Sequence, residues 1–96
     1  MTTDEIIQIL KNYKAQNQAV YNISKLGLFG SSARGENTDE SDIDIVVELG
    51  TPKMFDLIGI KQDLEEITKK NIDVIMYREK MNPFLKKRIE RDAIYV

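Results

Sequence analysis

Two short β-branched runs with a helical stretch between them limit the fold of this chain more than any other feature. The runs are Ile43 to Glu48 and Ile72 to Tyr77. Apolar residues recur between them at the spacing of one helical face, namely Leu57, Ile60, Leu64 and Ile67. This periodicity predicts a helix from about Lys53 to Lys69. Strands joined through a helix are expected to be parallel members of one sheet, connected by a right-handed crossover.

The segments on either side of this unit complete the order helix, strand, turn, strand, helix, strand, helix. A helix is predicted from about Thr3 to Ala19, a buried strand from Ile23 to Phe29, and a last helix from the Asn82-Pro83 cap through about Ala93. We therefore expect an α/β or α+β fold, with a small mixed β-sheet packed with helices. The 96 residues are expected to form one domain, residues 1–96.

The composition excludes several kinds of site. The chain has no cysteine and no histidine, which excludes thiolate chemistry, imidazole bases and the usual zinc ligands. Any metal ion must then be held by oxygen atoms, which favours hard cations such as Mg²⁺, Mn²⁺ or Ca²⁺. No secretory signal opens the chain and no apolar run reaches membrane-spanning length. A cytoplasmic protein is expected, without a membrane partner and without direct binding of nucleic acid.

The charges are unevenly distributed. No Lys or Arg occurs from Gly35 to Pro52, a stretch that holds six acidic residues: Glu36, Asp39, Glu40, Asp42, Asp44 and Glu48. The last third of the chain is basic instead, through Arg78, Lys80, Lys86, Lys87, Arg88 and Arg91. Solvated surfaces of each sign are one explanation. An acidic metal site beside a surface that accepts polyphosphate or an acidic partner is the other.

The sharpest local motif is Asp42-Ile43-Asp44. Alternate residues of a strand share a face, so both carboxylates point the same way, about 7 Å apart along the chain. Carboxylates placed together repel each other unless one is protonated or a cation lies between them. The pair is therefore a candidate metal site, although Asp-x-Asp alone is also typical of an exposed pair at the start of a strand.

A third acid, Asp73, stands between Ile72 and Val74 in a run that is otherwise apolar. A buried carboxylate is costly unless it is paired or bound to metal. If the third strand lies beside the second, Asp73 joins Asp42 and Asp44. Three carboxylates can hold one or two Mg²⁺ ions and leave coordination positions for water and phosphate oxygens. The alternative is an acid at the exposed end of its strand.

The segment from Gly30 to Gly35, Gly-Ser-Ser-Ala-Arg-Gly, is the third motif. Gly30 allows a sharp turn directly after a buried strand and a close approach to a ligand. The backbone amides of Ser31 and Ser32 would then face outward, where anions bind well, and Arg34 can clamp a phosphate. An ordinary turn and a surface ion pair are the alternatives for this segment.

The combination favours nucleotidyl transfer. A phosphate-binding turn, a carboxylate pair on the next strand and a third acid are what a reaction between a nucleoside triphosphate, a divalent metal and an acceptor requires. Neither a Walker-type phosphate loop nor a Gly-x-Gly-x-x-Gly turn is present.

Gly30-Ser31, ten residues, and Asp42-Ile43-Asp44 together resemble the signature of the DNA polymerase β-like nucleotidyltransferase superfamily. Gly-Ser-x-Ala-Arg-Gly followed by Ser41-Asp42-Ile43-Asp44 is similar to the minimal nucleotidyltransferases, the MntA-like antitoxins, and this similarity extends over essentially the whole chain. It implies a polymerase β palm-like fold, with Ile72-Asp73-Val74 where the third acid of the family falls.

The resemblance also implies roles for single residues. Gly30 and Ser31 would hold the triphosphate, Asp42 and Asp44 would bind one or two Mg²⁺ ions, and Asp73 would complete the site and help to deprotonate the acceptor hydroxyl. ATP would be the donor. Many relatives silence a HEPN-domain ribonuclease toxin by adding AMP to a tyrosine, in a type VII toxin–antitoxin pair, so a HEPN toxin is the partner that the resemblance implies.

Two other functions stay open at this point. One is an antitoxin that binds its partner without catalysis, although a pure contact surface has no need of three acids and a Gly-Ser turn. The other is a nucleotidyltransferase for small molecules such as antibiotics, which usually grips its acceptor with an added domain. The base of the nucleotide, the acceptor, the number of AMP units and the existence of a homo-oligomer are not determined by the sequence.

Overall fold

The computed structural model describes all 96 residues and contains three helices and four strands. The helices are α1 (Thr3–Tyr21), α2 (Met54–Thr68) and α3 (Pro83–Asp92), and the strands are β1 (Ile23–Phe29), β2 (Ile43–Leu49), β3 (Ile72–Met76) and β4 (Ile94–Tyr95). A single 3₁₀ turn, Gly30–Ser32, follows β1. The predicted helices and strands are all present, with ends within two residues of the prediction. The short β4 was not predicted.

The four strands form one mixed sheet in the order β3-β2-β1-β4. β2 and β3 are parallel, as expected for strands joined through a helix, whereas β1 runs antiparallel to both β2 and β4. The predicted mixed α/β architecture is therefore confirmed. β2 lies in the interior of the sheet, and β3 forms one edge.

The sheet separates two apolar clusters. The larger cluster packs α1 and α2 against one face through Ile6, Leu10, Tyr13, Ile60 and Leu64 on the helices and through Leu26, Leu28, Ile43, Ile45 and Val47 on the strands. The smaller cluster lies under α3 and consists of Phe29, Val46 and Ile89. Because side chains alternate along a strand, the residues next to the core residues of β2 and β3 face α3.

Local capping fixes the ends of the helices. Thr2 and Glu5 form a capping box at the start of α1, and the left-handed Asn22 (φ 53°) ends that helix. The side chain of Asn82 accepts hydrogen bonds from the amides of Phe84 and Leu85, with Pro83 in the first turn of α3. These caps satisfy backbone groups that a helix end leaves without partners. None of the three helices combines the length and apolarity that a membrane span requires.

Candidate active site

The site begins at the junction of β1 and the 3₁₀ turn. Gly30 has φ +72°, a left-handed conformation that side chains disfavour. A β-carbon at this position would collide with Oδ2 of Asp44. The close approach arises because Phe29, the residue before Gly30, is the cross-strand partner of Asp44. The sharp turn and the second acid of the Asp-x-Asp pair are therefore in direct contact.

The pairing of β2 with β3 brings a second carboxylate to the same place. Asp44 and Asp73 are register partners in the parallel pair. Both lie on the face of the sheet that α3 covers, since the neighbouring Ile43, Ile45 and Ile72 point into the larger cluster. Asp42 lies two residues before Asp44, just ahead of the first residue of β2. The three predicted acids thus come from the adjacent starts of two neighbouring strands.

The three acids differ in exposure. Asp44 is half-buried, whereas Asp42 and Asp73 are both exposed. Of the two possibilities that the sequence left open for Asp73, the structure contains the exposed one, because β3 is an edge strand and Asp73 lies near its start. The cost of burying a charge is therefore no reason to assign Asp73 to a metal site. Its register with Asp44 is what makes it part of the site.

Electrostatics single out Asp44. Burial raises the pKa of its carboxyl above the ordinary value, and the charges of Asp73 and Asp42 raise the pKa further. The positive charges of Arg88 and Arg34 act in the opposite direction on this pKa. A partly desolvated carboxylate beside other carboxylates gains from a cation, because the cation removes both sources of unfavourable energy.

The acids nevertheless do not form a preformed metal cage. No three acidic side chains are arranged so that they could hold one ion together, so the expected convergence of all three carboxylates on a shared cation is absent. The donor set still fits a hard divalent ion, since it consists of carboxylate oxygens only. The absence of a side chain at Gly30 keeps the space next to Asp44 Oδ2 free.

The serines of the turn differ in their surroundings. Ser31 is partly exposed, whereas Ser32 is 1% exposed and its Oγ has no hydrogen-bond partner. The backbone of the turn is held from outside, because the hydroxyl of Thr3 donates a hydrogen bond to the carbonyl oxygen of Ser32 at 2.6 Å. The first residue of α1 thus fixes the turn to the rest of the fold.

Arg34, the candidate phosphate ligand of the turn, forms ion pairs within the chain. Its NH1 group donates to Asp92 at 2.5 Å and its Nε to Glu36 at 3.1 Å. Asp92 also accepts two hydrogen bonds from Arg91, and these partners lower its pKa to about 2. Arg34 therefore ties the turn to the end of α3. The surface ion pair, which was the alternative for this residue, is what the structure contains.

A second arginine, Arg88, lies at the site, and the sequence named it only as one of several basic residues in the last third of the chain. The guanidinium of Arg88 lies over the ring of Phe29, 5.9 Å from the ring centre. Its neighbour in α3, Ile89, is buried against Phe29 and Val46, and this packing places Arg88 close to Phe29. The basic character of the last third was visible in the sequence, but the basic side chain next to the turn depends on how α3 docks.

The family of the chain is decided by a match over nearly its whole length. Residues 5–96 match the family model described as the nucleotidyltransferase domain. The chain belongs to the nucleotidyltransferase family. A Methanocaldococcus jannaschii protein, provisionally named a protein adenylyltransferase, is 41% identical to this nucleotidyltransferase over 98 residues, which cover 99% of this chain and 98% of that protein. Protein adenylyltransferase MntA of Thermococcus cleftensis is 29% identical over 97 residues, covering 100% and 97%.

Solved structures share the fold of this nucleotidyltransferase. A structure provisionally described as a minimal nucleotidyltransferase has a TM-score of 0.77 at 25% identity, with 98% of this chain and 95% of that chain covered. A chain of a toxin–antitoxin crystal structure with AMP-PNP has a TM-score of 0.71 at 21% identity, covering 99% and 72%. A chain of the complex between the tri-AMPylated Shewanella oneidensis HEPN toxin and its MNT antitoxin has a TM-score of 0.61 at 19% identity, covering 97% and 66%. The resemblance to minimal nucleotidyltransferases and the predicted fold are confirmed.

Proposed function

We propose that this protein is a Mg²⁺-dependent adenylyltransferase that moves AMP from ATP to a tyrosine hydroxyl of a HEPN toxin and thereby acts as its antitoxin. One observation carries the proposal: the Gly30 turn touches Asp44, and Asp44 is paired in register with Asp73. A turn suited to phosphate and the acids suited to a divalent ion are thus placed side by side. The names of the relatives, protein adenylyltransferase and MNT antitoxin, support the same reaction and partner.

The turn residues and the three acids have different roles in this proposal. Gly30 and Ser31 bind the triphosphate through the backbone of the turn, which is tied to α1 by the hydrogen bond from Thr3 to the carbonyl oxygen of Ser32. Asp42 and Asp44, with Asp73, would hold Mg²⁺, one or two ions. When bound, the metal neutralises the charge that develops on the phosphate oxygens. The half-buried position of Asp44 makes it the acid that depends most on that cation.

The transfer itself is an in-line displacement. The acceptor oxygen forms a bond to the α-phosphorus of ATP, the bond from that phosphorus to the bridging oxygen of the β-phosphate breaks, and pyrophosphate leaves. The proton of the acceptor hydroxyl passes to a carboxylate. Asp73 is suited to take it, because it is exposed at the sheet edge, where another protein can present a hydroxyl, and it is next to Asp44.

The test is a labelling reaction with a matched control. The protein is incubated with ATP, Mg²⁺ and the product of the neighbouring gene, and both chains are examined by intact mass for increments of AMP. We expect AMP on a tyrosine of the partner, and none with the Asp44→Asn variant. Glu48→Gln changes an acid on the same strand and the same face, four residues farther along, and should leave labelling unchanged.

Each other outcome points to a different function. Partner binding and inhibition without any AMP transfer would favour an antitoxin that acts by contact alone. Rapid modification of an aminoglycoside with no label on the neighbouring protein would favour the small-molecule enzyme. Equal loss of labelling in Asp44→Asn and Glu48→Gln would contradict the assignment of Asp44 to the site.

A further inference from the structure

Arg88 lies beside the residue that links the turn to the acids. Its guanidinium is 5.9 Å from the centre of the Phe29 ring. Phe29 directly precedes Gly30 in the chain, and its partner on β2 is Asp44. A positive charge thus lies where the phosphate-binding turn and the candidate metal acids meet.

The position of Arg88 is fixed by the residue one helical turn later. Asp92 has a side chain that is only 4% exposed, and it joins Arg34 of the turn to Arg91 of α3. The adjacent Ile89, which is buried, packs α3 onto Phe29 and Val46. Residues four apart on a helix lie on the same side, so anchoring Asp92 against the turn directs Arg88 toward it as well.

The donors of Arg88 are free, in contrast to those of three other basic residues near the site. Lys86 pairs with Glu79, and both Arg91 and Arg34 pair with Asp92. Arg88 has neither an ion pair nor a side-chain hydrogen bond, and it is exposed. Contact with an aromatic ring uses the flat face of a guanidinium and leaves its N–H groups at the edge available for a ligand.

We propose that Arg88 is a nucleotide-binding residue, which donates hydrogen bonds to the phosphates of the triphosphate bound at the Gly30 turn. It takes the role that the sequence suggested for Arg34, whose guanidinium is committed to Asp92 and Glu36. The inference rests on the proposed function, since it needs a nucleoside triphosphate at this turn. Guanidinium groups are well suited to this role because their planar fork matches two phosphate oxygens at once.

The experiment measures binding rather than transfer. Dissociation constants of AMP-PNP and of inorganic tripolyphosphate are determined by calorimetry with Mg²⁺ for the unaltered protein and for Arg88→Gln, Arg88→Lys and Lys87→Gln. Lys87 is the adjacent, exposed residue of the same charge and makes no ion pair. We expect Arg88→Gln to weaken both ligands by roughly 10-fold to 100-fold. Arg88→Lys should lose less, and Lys87→Gln should change affinity by no more than about twofold.

The outcomes separate this inference from the function on which it rests. If the unaltered protein binds neither ligand, the proposed function fails. If it binds both and Arg88→Gln binds them equally well, Arg88 is not a phosphate ligand although the function stands. Equal weakening by Arg88→Gln and Lys87→Gln would also overturn the inference, because it would reveal only the general charge of α3. Melting temperatures matching that of the unaltered protein establish that each variant is folded.

Discussion

Replacing Gly30 with alanine tests the contact on which the site is built. Gly30 and Gly35 both have φ +72°, so a side chain at either position incurs the cost of the left-handed conformation, about 1–2 kcal/mol. They differ in their surroundings: a β-carbon at Gly35 meets only Thr3 Oγ1 at 3.9 Å, whereas one at Gly30 collides with Asp44 Oδ2. Overpacking of this kind costs a further ~1–3 kcal/mol. Gly30→Ala should therefore destabilise the fold by about 2–5 kcal/mol in total.

Urea unfolding of five proteins, namely the unaltered chain, Gly35→Ala, Gly30→Ala, Asp44→Ala and the Gly30→Ala/Asp44→Ala double variant, measures the two contributions separately. Gly35→Ala gives the backbone cost alone, and Gly30→Ala gives the backbone cost together with the collision. In the background of Asp44→Ala, which removes the carboxylate, the Gly30→Ala substitution should cost no more than Gly35→Ala does in the unaltered chain. The cycle thus isolates the Gly30–Asp44 contact. Equal destabilisation by Gly30→Ala and Gly35→Ala, or an excess cost of Gly30→Ala that persists without the Asp44 carboxylate, would refute the Gly30–Asp44 contact.

Three further predictions concern stability, pH and metal. Asp63→Ala leaves the part-buried Tyr13 hydroxyl without its acceptor at 2.7 Å and the Tyr21 hydroxyl without its acceptor at 3.3 Å, and should lower the free energy of unfolding by ~1–3 kcal/mol; in Tyr13→Phe, which leaves no donor unsatisfied and keeps the Tyr21 hydrogen bond, urea unfolding should show a smaller loss. The pKa of Asp92 is lowered to about 2, so its ion pairs stabilise the fold above its ordinary value of 3.8 and that stabilisation is lost as the pH falls through about 2. The difference in melting temperature between the unaltered protein and Asp92→Asn should accordingly shrink on acidification, and a constant difference would contradict the ion pairs. Mg²⁺ with AMP-PNP should raise the melting temperature of the unaltered protein but not of the folded Asp42→Asn/Asp44→Asn double variant; an unchanged rise would refute the metal assignment.

The sequence predicted those parts of the fold that depend on local patterning. The capping pair Thr2 and Glu5, the Asn82-Pro83 start of α3 and the apolar periodicity of α2 all act within a few residues, and each produced the expected helix. The parallel pairing of β2 with β3 followed from connection geometry. β4 could not be predicted, because two exposed residues carry no pattern and form a strand only by pairing with Gly27 and Leu28.

The site was predictable as a set of residue types but not as a set of contacts. The motif named Gly30, Asp42 and Asp44, and the matching registers of the strands then decided that Asp44 would touch Gly30. The pairing of Arg34 with Asp92 spans 58 residues and could not be read from a local pattern. The roles in catalysis and binding assigned to all these residues, and the single-domain organisation of residues 1–96, stay predictions.

The edge strand β3 alternates between side chains with opposite requirements. Ile72 and Val74 pack into the larger cluster, whereas Asp73 between them faces the other side. If β3 slipped by one residue along β2, the carboxylate would point into the apolar layer under α1 and α2, and two aliphatic side chains would be turned away from it. The slipped chain would be less stable and would also lack its third acid at the site. Asp73 therefore disfavours a shifted register of β3, and the same residue is needed at the site, so correct pairing of the sheet edge and any activity of the site depend on one side chain.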